Sequence, residues 1–323
     1  MPFVVLVGSR PCLAPAPKLR IRDTAFAWYF HSTALKYGGI GVTPDWLYWH
    51  GGAWHESEQK LLGLKDHSFW MGNAVFDGAR AFEGLTPDLD LHCARAVRSA
   101  LSLSLKPQIS AADLTELCRE GVARFTKDDV LYIRPMFFAT GGFLLPEPDT
   151  TVTAITIHRL PFPDPNGFSA AFVSQRRPRP TMAPTDAKAC CLYPNVQRAL
   201  REAAERGFQN AVMLGPDENV AEFATANLMI VTDGIVRTPK ADGTFLAGIT
   251  RARVMGLLRE DGVDVQEAVL AKEDIISADE VFSCGNHGKV VPVRRIEDRE
   301  WPTGPLTQKA RNLYLAFARS GIR

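Results

Sequence analysis

Apolar and polar residues begin to follow clean periods at Trp46, and from there the pattern separates strands from helices. "WLYWHGGAWHE" sets two aromatic runs on either side of a Gly-Gly pair, the signature of a β-hairpin. "NAVFDGARAFEG" alternates as one further strand ending at Gly84. "LHCARAVRSALSL" carries apolar residues at helical spacing, and "SAADLTELCREGVARF" opens a second helix on Ser110 as N-cap. "DVLYIRPMFFAT" and "TTVTAITIHRL" are rich in β-branched and aromatic residues and predict two strands.

"PFPDPNG" can continue neither element, so a boundary is expected there. Beyond it "FSAAFVSQ" reads as a strand, and "TDAKACCLYPNVQRALREAAERG" as a small-residue segment leading into an amphipathic helix. "NAVMLG" and "ATANLMIVTDGIVRTP" follow as strands, the latter with a D-G turn. "TFLAGITRARVMGLLREDG" is a loop entering a helix with Thr250 as N-cap, "DEVFSCGNHGKVVPV" is strand, tight turn and strand, and "GPLTQKARNLYLAFARSG" is a closing helix. The expected organisation is a small α/β domain over residues 1–157, a linker over 158–167 and a larger α/β domain over 168–323. Residues 1–45 lack a clean period and read as an extension.

The length of 323 residues and 46% hydrophobic content suit two cores of ordinary globular type. Thirty-seven basic against thirty-six acidic side chains leave a net charge of +1, too little to attract nucleic acid or an anionic membrane. No apolar run approaches the roughly 20 residues that span a bilayer. Cys12, Cys93, Cys118, Cys190, Cys191 and Cys284 are scattered and never fall in C-x-x-C spacing, and "MPFVVLVGSRPC" is a poor signal peptide; a cytoplasmic protein is expected. The histidines show no H-E-x-x-H or H-x₃-H spacing, so no metal site is expected, and "GNHGKV" lacks the Ser or Thr of a P-loop.

Lys188 changes the picture. A lone lysine is usually a solvated charge, but a lysine that forms a Schiff base needs a partly desolvated amine, an aldehyde cofactor anchored at its other end, and a group that tunes the cofactor ring. "NVAEFATANLMIV" puts Glu222 against a very apolar strand, where an unpaired carboxylate is costly to bury and a buried cation removes the cost. Gly248, Ile249 and Thr250 stand at a helix N-terminus, where backbone N–H groups and the helix dipole favour phosphate, and Arg95 in "HCAR" offers a charge-assisted phosphate contact.

These stretches resemble, in order and near spacing, the class IV pyridoxal-phosphate enzymes (fold type IV), and within them the branched-chain amino acid aminotransferases. The resemblance runs from about Leu47 to the C-terminus. "VFDGARAF" is similar to the family's F-E-G-[IVL]-R, "HCAR" to H-x-x-R, "LYIRP" to Y-[IV]-R-P, and "KACCLY" to K-x-x-x-x-Y. "ENVAEFATANL" is similar to its E-x-x-x-x-N segment, "LAGITR" to G-I-T-R, and "SCGNHGKVVPV" to S-G-T-A-x-x-[IV]-x-P-V.

The resemblance implies a mixed α/β fold with a small N-terminal domain and a pseudo-barrel C-terminal domain. It implies pyridoxal 5′-phosphate as cofactor, an amino donor and a 2-oxo acid as substrates, and a homodimer whose partner loop completes the cavity. Lys188 is then the catalytic lysine that carries the cofactor and shuttles a proton. Glu222 pairs with the pyridine nitrogen, and Tyr193 bonds the phenolic oxygen. Arg95, Gly248, Ile249, Thr250 and Asn286 hold the phosphate. Phe76, Gly78, Arg80, Tyr132 and Arg134 line the substrate cavity, with the Asn286 and His287 backbone receiving the carboxylate.

The departures bear on specificity. Cys190, Cys191 and Leu192 replace the usual glycines and asparagine, Asn286 and His287 replace threonine and alanine, and Met71 stands where the branched-chain enzymes carry a tyrosine; "ATGGFLLPEP" also differs. The rival on the same fold is an (R)-selective amine transaminase. D-amino acid transaminase, 4-amino-4-deoxychorismate lyase and a non-catalytic cofactor-binding protein follow at greater distance.

Overall fold

The computed structural model describes residues 45–321. The first half contains β1 (Trp46–His50), β2 (Ala53–His55), α1 (His67–Met71), β3 (Ala74–Phe76), β4 (Ala79–Ala81), α2 (Leu89–Ser102), α3 (Ala111–Val122), β5 (Leu131–Ala139) and β6 (Thr151–Arg159). Its strands form an antiparallel sheet in the order β2-β1-β6-β5-β3, with β4 also on β5. The hairpin forms as expected: His50 pairs with Ala53 across Gly51 and Gly52, both at positive φ. "NAVFDGARAFEG" is not one strand. It breaks into β3 and β4 at Asp77–Gly78, because the Asp77 N–H turns to the Pro135 carbonyl (3.0 Å) and its carboxylate takes the Gly78 N–H (2.7 Å).

Helices α2 and α3 cover one face of this sheet. Leu89, Cys93, Ala96 and Ala100 of α2 and Leu114 and Cys118 of α3 are buried with Ile133, Phe137, Ile155 and Ile157. Ser110 caps α3, accepting from the Asp113 N–H at 3.1 Å.

The second half contains β7 (Phe168–Arg176), α4 (Tyr193–Glu205), β8 (Asn210–Leu214), β9 (Val220–Phe223), β10 (Asn227–Thr232), β11 (Ile235–Pro239) and α5 (Ile249–Glu260). It continues with β12 (Val265–Ala268), α6 (Lys272–Ser277), β13 (Glu280–Gly285), β14 (Lys289–Ile296), β15 (Arg299–Glu300) and α7 (Pro305–Ser320). These strands make a mixed sheet ordered β12-β11-β10-β13-β14-β7-β8-β9, with β15 on β14. The pairs β11–β12, β14–β7 and β7–β8 are parallel. The D-G turn is formed by Asp233 and Gly234, both at positive φ.

Helices α5 and α7 bury Val254, Leu258, Tyr314 and Ala318 against Phe282 of β13. Thr250 does not cap α5. Gly248 is the N-cap, in extended conformation with its carbonyl accepting from Ala252, and Thr250 lies inside the first turn, buried.

Residues 160–167 cross from the first sheet to the second, and the chain returns to the first at Lys188. Phe76 donates its N–H to the Lys188 carbonyl (3.1 Å), Lys188 donates its own to Ser99 Oγ (3.0 Å), and Val75 bridges Ala189. The lysine backbone is thereby fixed where the two sheets meet.

Residues 1–44, including Cys12 and "YGGIG", lie outside the described residues. Among the described residues the five cysteines are free thiols, and no helix is long and apolar enough to cross a membrane.

Two helix-interior glycines give opposite expectations. A Cβ at Gly121 of α3 would overlap Trp54 and Ile157, whereas one at Gly256 of α5 meets nothing within 4 Å. Urea denaturation should show Gly121→Ala destabilised by about 1–3 kcal/mol through overpacking. Gly256→Ala should gain up to about 1 kcal/mol from helix propensity.

Candidate active site

Lys188 Nζ donates to Tyr193 Oη at 3.0 Å and lies 5.1 Å from the Phe76 ring centre. Tyr193 opens α4, and its ring sits 5.1 Å from that of Phe76, so β3 and α4 form two walls around the amine. Burial works to lower the Lys188 pKa, but the Tyr193 oxygen and Asp77 outweigh it and hold the ammonium above its ordinary value. Cys190, directly beyond, is pushed up to about 11, first by burial and then by Cys191, and is a neutral thiol.

Behind Lys188 lies a buried charge cluster. Asp77, fully enclosed, accepts from Arg95 Nε (2.7 Å), Arg95 Nη2 (2.9 Å) and His92 Nδ1 (2.7 Å). Burial alone would raise the Asp77 pKa; the charge and hydrogen bonds of Arg95, with those of His92, hold it far below the usual carboxylate range. Burial lowers the His92 pKa, so the imidazole is neutral, and because Asp77 can only accept, its proton sits on Nδ1. Arg95 is thus no surface arginine: it is buried and its guanidinium is locked by two bonds.

Glu222, on β9, is buried and ion-paired with Arg177, while Asn227 Nδ2 donates to its other oxygen at 3.1 Å. Burial pushes its pKa up; Arg177 and Lys188 pull the other way. The same Asn227 amide reaches the Leu246 carbonyl (3.2 Å), tying Glu222 to the loop before α5. A Cβ at Gly248 would collide with Asn227, so the residue that caps α5 must be glycine for this tie to form. No side chain caps that helix, so its first amides are without a side-chain acceptor and suit an anion.

On the other side stand Arg80 and Tyr132, opposite one another on β4 and β5. A side chain at Gly78 would collide with the Tyr132 hydroxyl. Arg80 is fully buried and donates Nη2 to the Leu160 carbonyl (2.6 Å), but its Nε and Nη1 have no partner. Arg134 lies 5.3 Å from the Tyr132 ring. Asn286 and His287 form the β13–β14 turn; burial first and the charge of Arg80 second lower the His287 pKa, and Asn286 Nδ2 is buried without a partner.

Residues 74–296 match the family model described as amino-transferase class IV. The chain belongs to the class IV aminotransferases. An aminotransferase of Brucella abortus, solved bound to pyridoxal phosphate, is 46% identical and superimposes with a TM-score of 0.84 over 85% of this chain and 99% of that one. The branched-chain aminotransferase of Thermoproteus uzoniensis, solved with norvaline, is 30% identical with a TM-score of 0.78 over 84% and 95%. The branched-chain-amino-acid aminotransferase of Escherichia coli K12 is 29% identical over 83% of this chain and 92% of its own.

The fold of this aminotransferase is accordingly of type IV and its cofactor is pyridoxal 5′-phosphate. The residues fit that group. A lysine amine meets only a phenol, a buried carboxylate stands across from it, and the uncapped end of α5, Arg95 and the unpaired Asn286 amide offer donors to a phosphate.

Several working residues carried no legible signal. Arg177 sits in "SQRRPRP", which reads as a solvated basic loop, and Ser99 looks like an ordinary helix position, whereas Asn227 and His92 stand in the quoted E-x-x-x-x-N and H-x-x-R stretches without a role assigned to them. Asp77 lay inside the quoted F-D-G-A-R stretch, where an acid three residues before an arginine was the available clue. Met71, by contrast, is exposed on α1.

Asp77→Asn leaves Arg95 buried and unpaired, so urea denaturation at pH 7 should show a loss of about 3–5 kcal/mol. The native pKa of Asp77 is depressed, so its contribution is complete above the unfolded value near 4. The gap between variant and wild type should therefore narrow as pH falls below about 4.

Proposed function

We propose that this aminotransferase moves the amino group of a branched-chain L-amino acid to a 2-oxo acid such as 2-oxoglutarate, in two half-reactions at one site, as a homodimer. The observation that carries a carboxylated donor is Arg80: a fully buried guanidinium with Nε and Nη1 unpaired suits a substrate that brings its own carboxylate. An amine without a carboxylate would leave that charge uncompensated. The branched-chain assignment rests on the relatives and on the apolar wall that Phe76 gives the cavity.

Pyridoxal phosphate supplies an aldehyde and an electron-accepting ring. The chain supplies the rest. Lys188 holds the aldehyde end, and its Nζ, oriented by Tyr193 Oη, moves the proton at the substrate Cα. Glu222 holds a proton at the pyridine nitrogen; Arg177 and Asn227 keep its carboxylate in place, and its raised pKa suits proton sharing with a weak base. Arg95, aimed by Asp77, the Gly248–Thr250 amides and Asn286 bind the phosphate. Tyr132, Arg134, Gly78 and the Asn286–His287 backbone shape the substrate cavity around Arg80.

The dimer is supported by an exposed apolar patch. Phe69, Trp70 and Met71 of α1 and Phe143, Leu144 and Leu145 of the β5–β6 loop are solvent-facing, with the Trp70 and Phe143 rings 5.5 Å apart. A cluster of this kind is unlike singly scattered surface residues and suits a second copy. Light scattering should return twice the chain mass, and Phe143→Asp combined with Leu144→Asp should shift it toward the monomer.

The catalytic reading is tested by absorbance of the cofactor-loaded enzyme mixed separately with L-leucine and with (R)-1-phenylethylamine. L-leucine alone should bleach the visible band, and Lys188→Ala should slow that bleaching by about 10²-fold or more. Bleaching by the amine alone would instead establish the (R)-selective amine transaminase.

A further inference from the structure

Lys289 is a second buried lysine that the roles above do not use. It opens β14 immediately after the Asn286–His287 turn, is 3% exposed, and has a backbone φ of 61°, a left-handed conformation that a lysine adopts only when its surroundings impose it. Its Nζ donates to Asn286 Oδ1 at 2.8 Å and lies 5.5 Å from the Tyr314 ring centre. Among the described residues it has no carboxylate partner.

The groups that face Lys289 come from four other elements. Arg80 approaches from β4, Asp88 from the turn before α2, His92 from α2, and Tyr314 from α7; His287 shares its turn. Asp88 is the one acid among them, and Arg253 already holds it through Nε (3.1 Å) and Nη2 (2.6 Å). Arg80 Nε and Nη1, Asn286 Nδ2, Tyr314 Oη and Asp88 Oδ2 are buried and unbonded, as is His92 Nε2, an acceptor in the neutral ring. Arg80, Lys289 and Arg253 thus share the single carboxylate of Asp88, which leaves an excess of buried positive charge. A further anion entering this neighbourhood would offset that excess.

We propose that Lys289, positioned by Asn286 Oδ1, joins Arg80 in a subsite of this aminotransferase that binds the carboxylate of the amino donor and of the 2-oxo acid. The inference rests on the carboxylated-donor reading and adds a second cation to it. It gives the turn after β13 a charged floor as well as backbone donors, and through Asn286 the carboxylate also orders the turn. Burial first and Arg80 second lower the Lys289 pKa to about 7. The ammonium is therefore present below neutrality and lost as pH rises above it, and the carboxylate should bind more weakly as that happens. By linkage, a bound carboxylate raises the pKa in turn.

The test uses 4-methylvalerate, the leucine skeleton without its amino group, titrated into the cofactor-loaded enzyme and read by the change in the visible band. Wild type should bind it about tenfold more tightly at pH 6 than at pH 8.5. Lys289→Gln should bind about tenfold more weakly at pH 6 and lose most of the pH dependence, while Lys289→Arg should bind tightly at both pH values. Pyridoxal phosphate affinity, measured by equilibrium dialysis, should be unchanged in both variants.

Equal 4-methylvalerate affinity and an equal pH profile in wild type and Lys289→Gln overturn the proposal and leave the carboxylated-donor reading standing. A loss confined to pyridoxal phosphate affinity also overturns it, because Lys289 then serves the phosphate. If wild type responds to neither L-leucine nor 4-methylvalerate, both readings fail together.

Discussion

The structure depends on one buried carboxylate. Asp77 breaks the β3–β4 strand, takes the Gly78 N–H, and receives Arg95 and His92 from α2. The break lets Gly78 pass under Tyr132, and the pairing turns Arg95 inward. An acid could not be enclosed there without those donors, and the donors could not be enclosed without the acid. Helix α2, the β3–β4 corner and the floor of the site therefore form together. Lys188 is pinned to the same corner through Phe76, Val75 and Ser99.

Around this corner the buried charges are divided unequally. Asp77 and Glu222 each have an arginine, Arg95 and Arg177, but among the described residues Arg80 and Lys289 form no ion pair, and the nearby Asp88 is held by Arg253. The first two pairs are complete in the chain and fix geometry. The unpaired cations are left for an incoming anion to balance, so the imbalance distinguishes the scaffold from the candidate binding surface. An enzyme that handles carboxylates and a phosphate with a net charge of only +1 must hold its positive charge in this concentrated form.

Local chemistry made much of this readable. Gly51–Gly52 and Asp233–Gly234 announced hairpins because few other residues take a left-handed backbone cheaply. Ser110 announced a cap because its hydroxyl serves an amide three residues away. Thr250 misled for an instructive reason: a hydroxyl near a helix start is the usual cap signal, but Gly248 takes the cap position and the first amides are left without a side-chain partner. The unbroken alternation of "NAVFDGARAFEG" hid a corner, because periodicity cannot register a side chain that bonds its neighbour's backbone.

By itself the sequence determined the element order, the motif positions and the chemistry their residue types permit, since capping, turn formation and periodicity act over a few residues. It put Lys188, Tyr193 and Glu222 forward as a Schiff-base set and Arg95 as a phosphate contact. Only the tertiary structure decided which charges are paired. Arg177 meets Glu222 across a separation of 45 residues (222 − 177 = 45), and Lys289 meets Arg80 across a still longer one. Burial and pairing depend on which distant segments pack together, and that is settled by the folded core, not by any local stretch of residues.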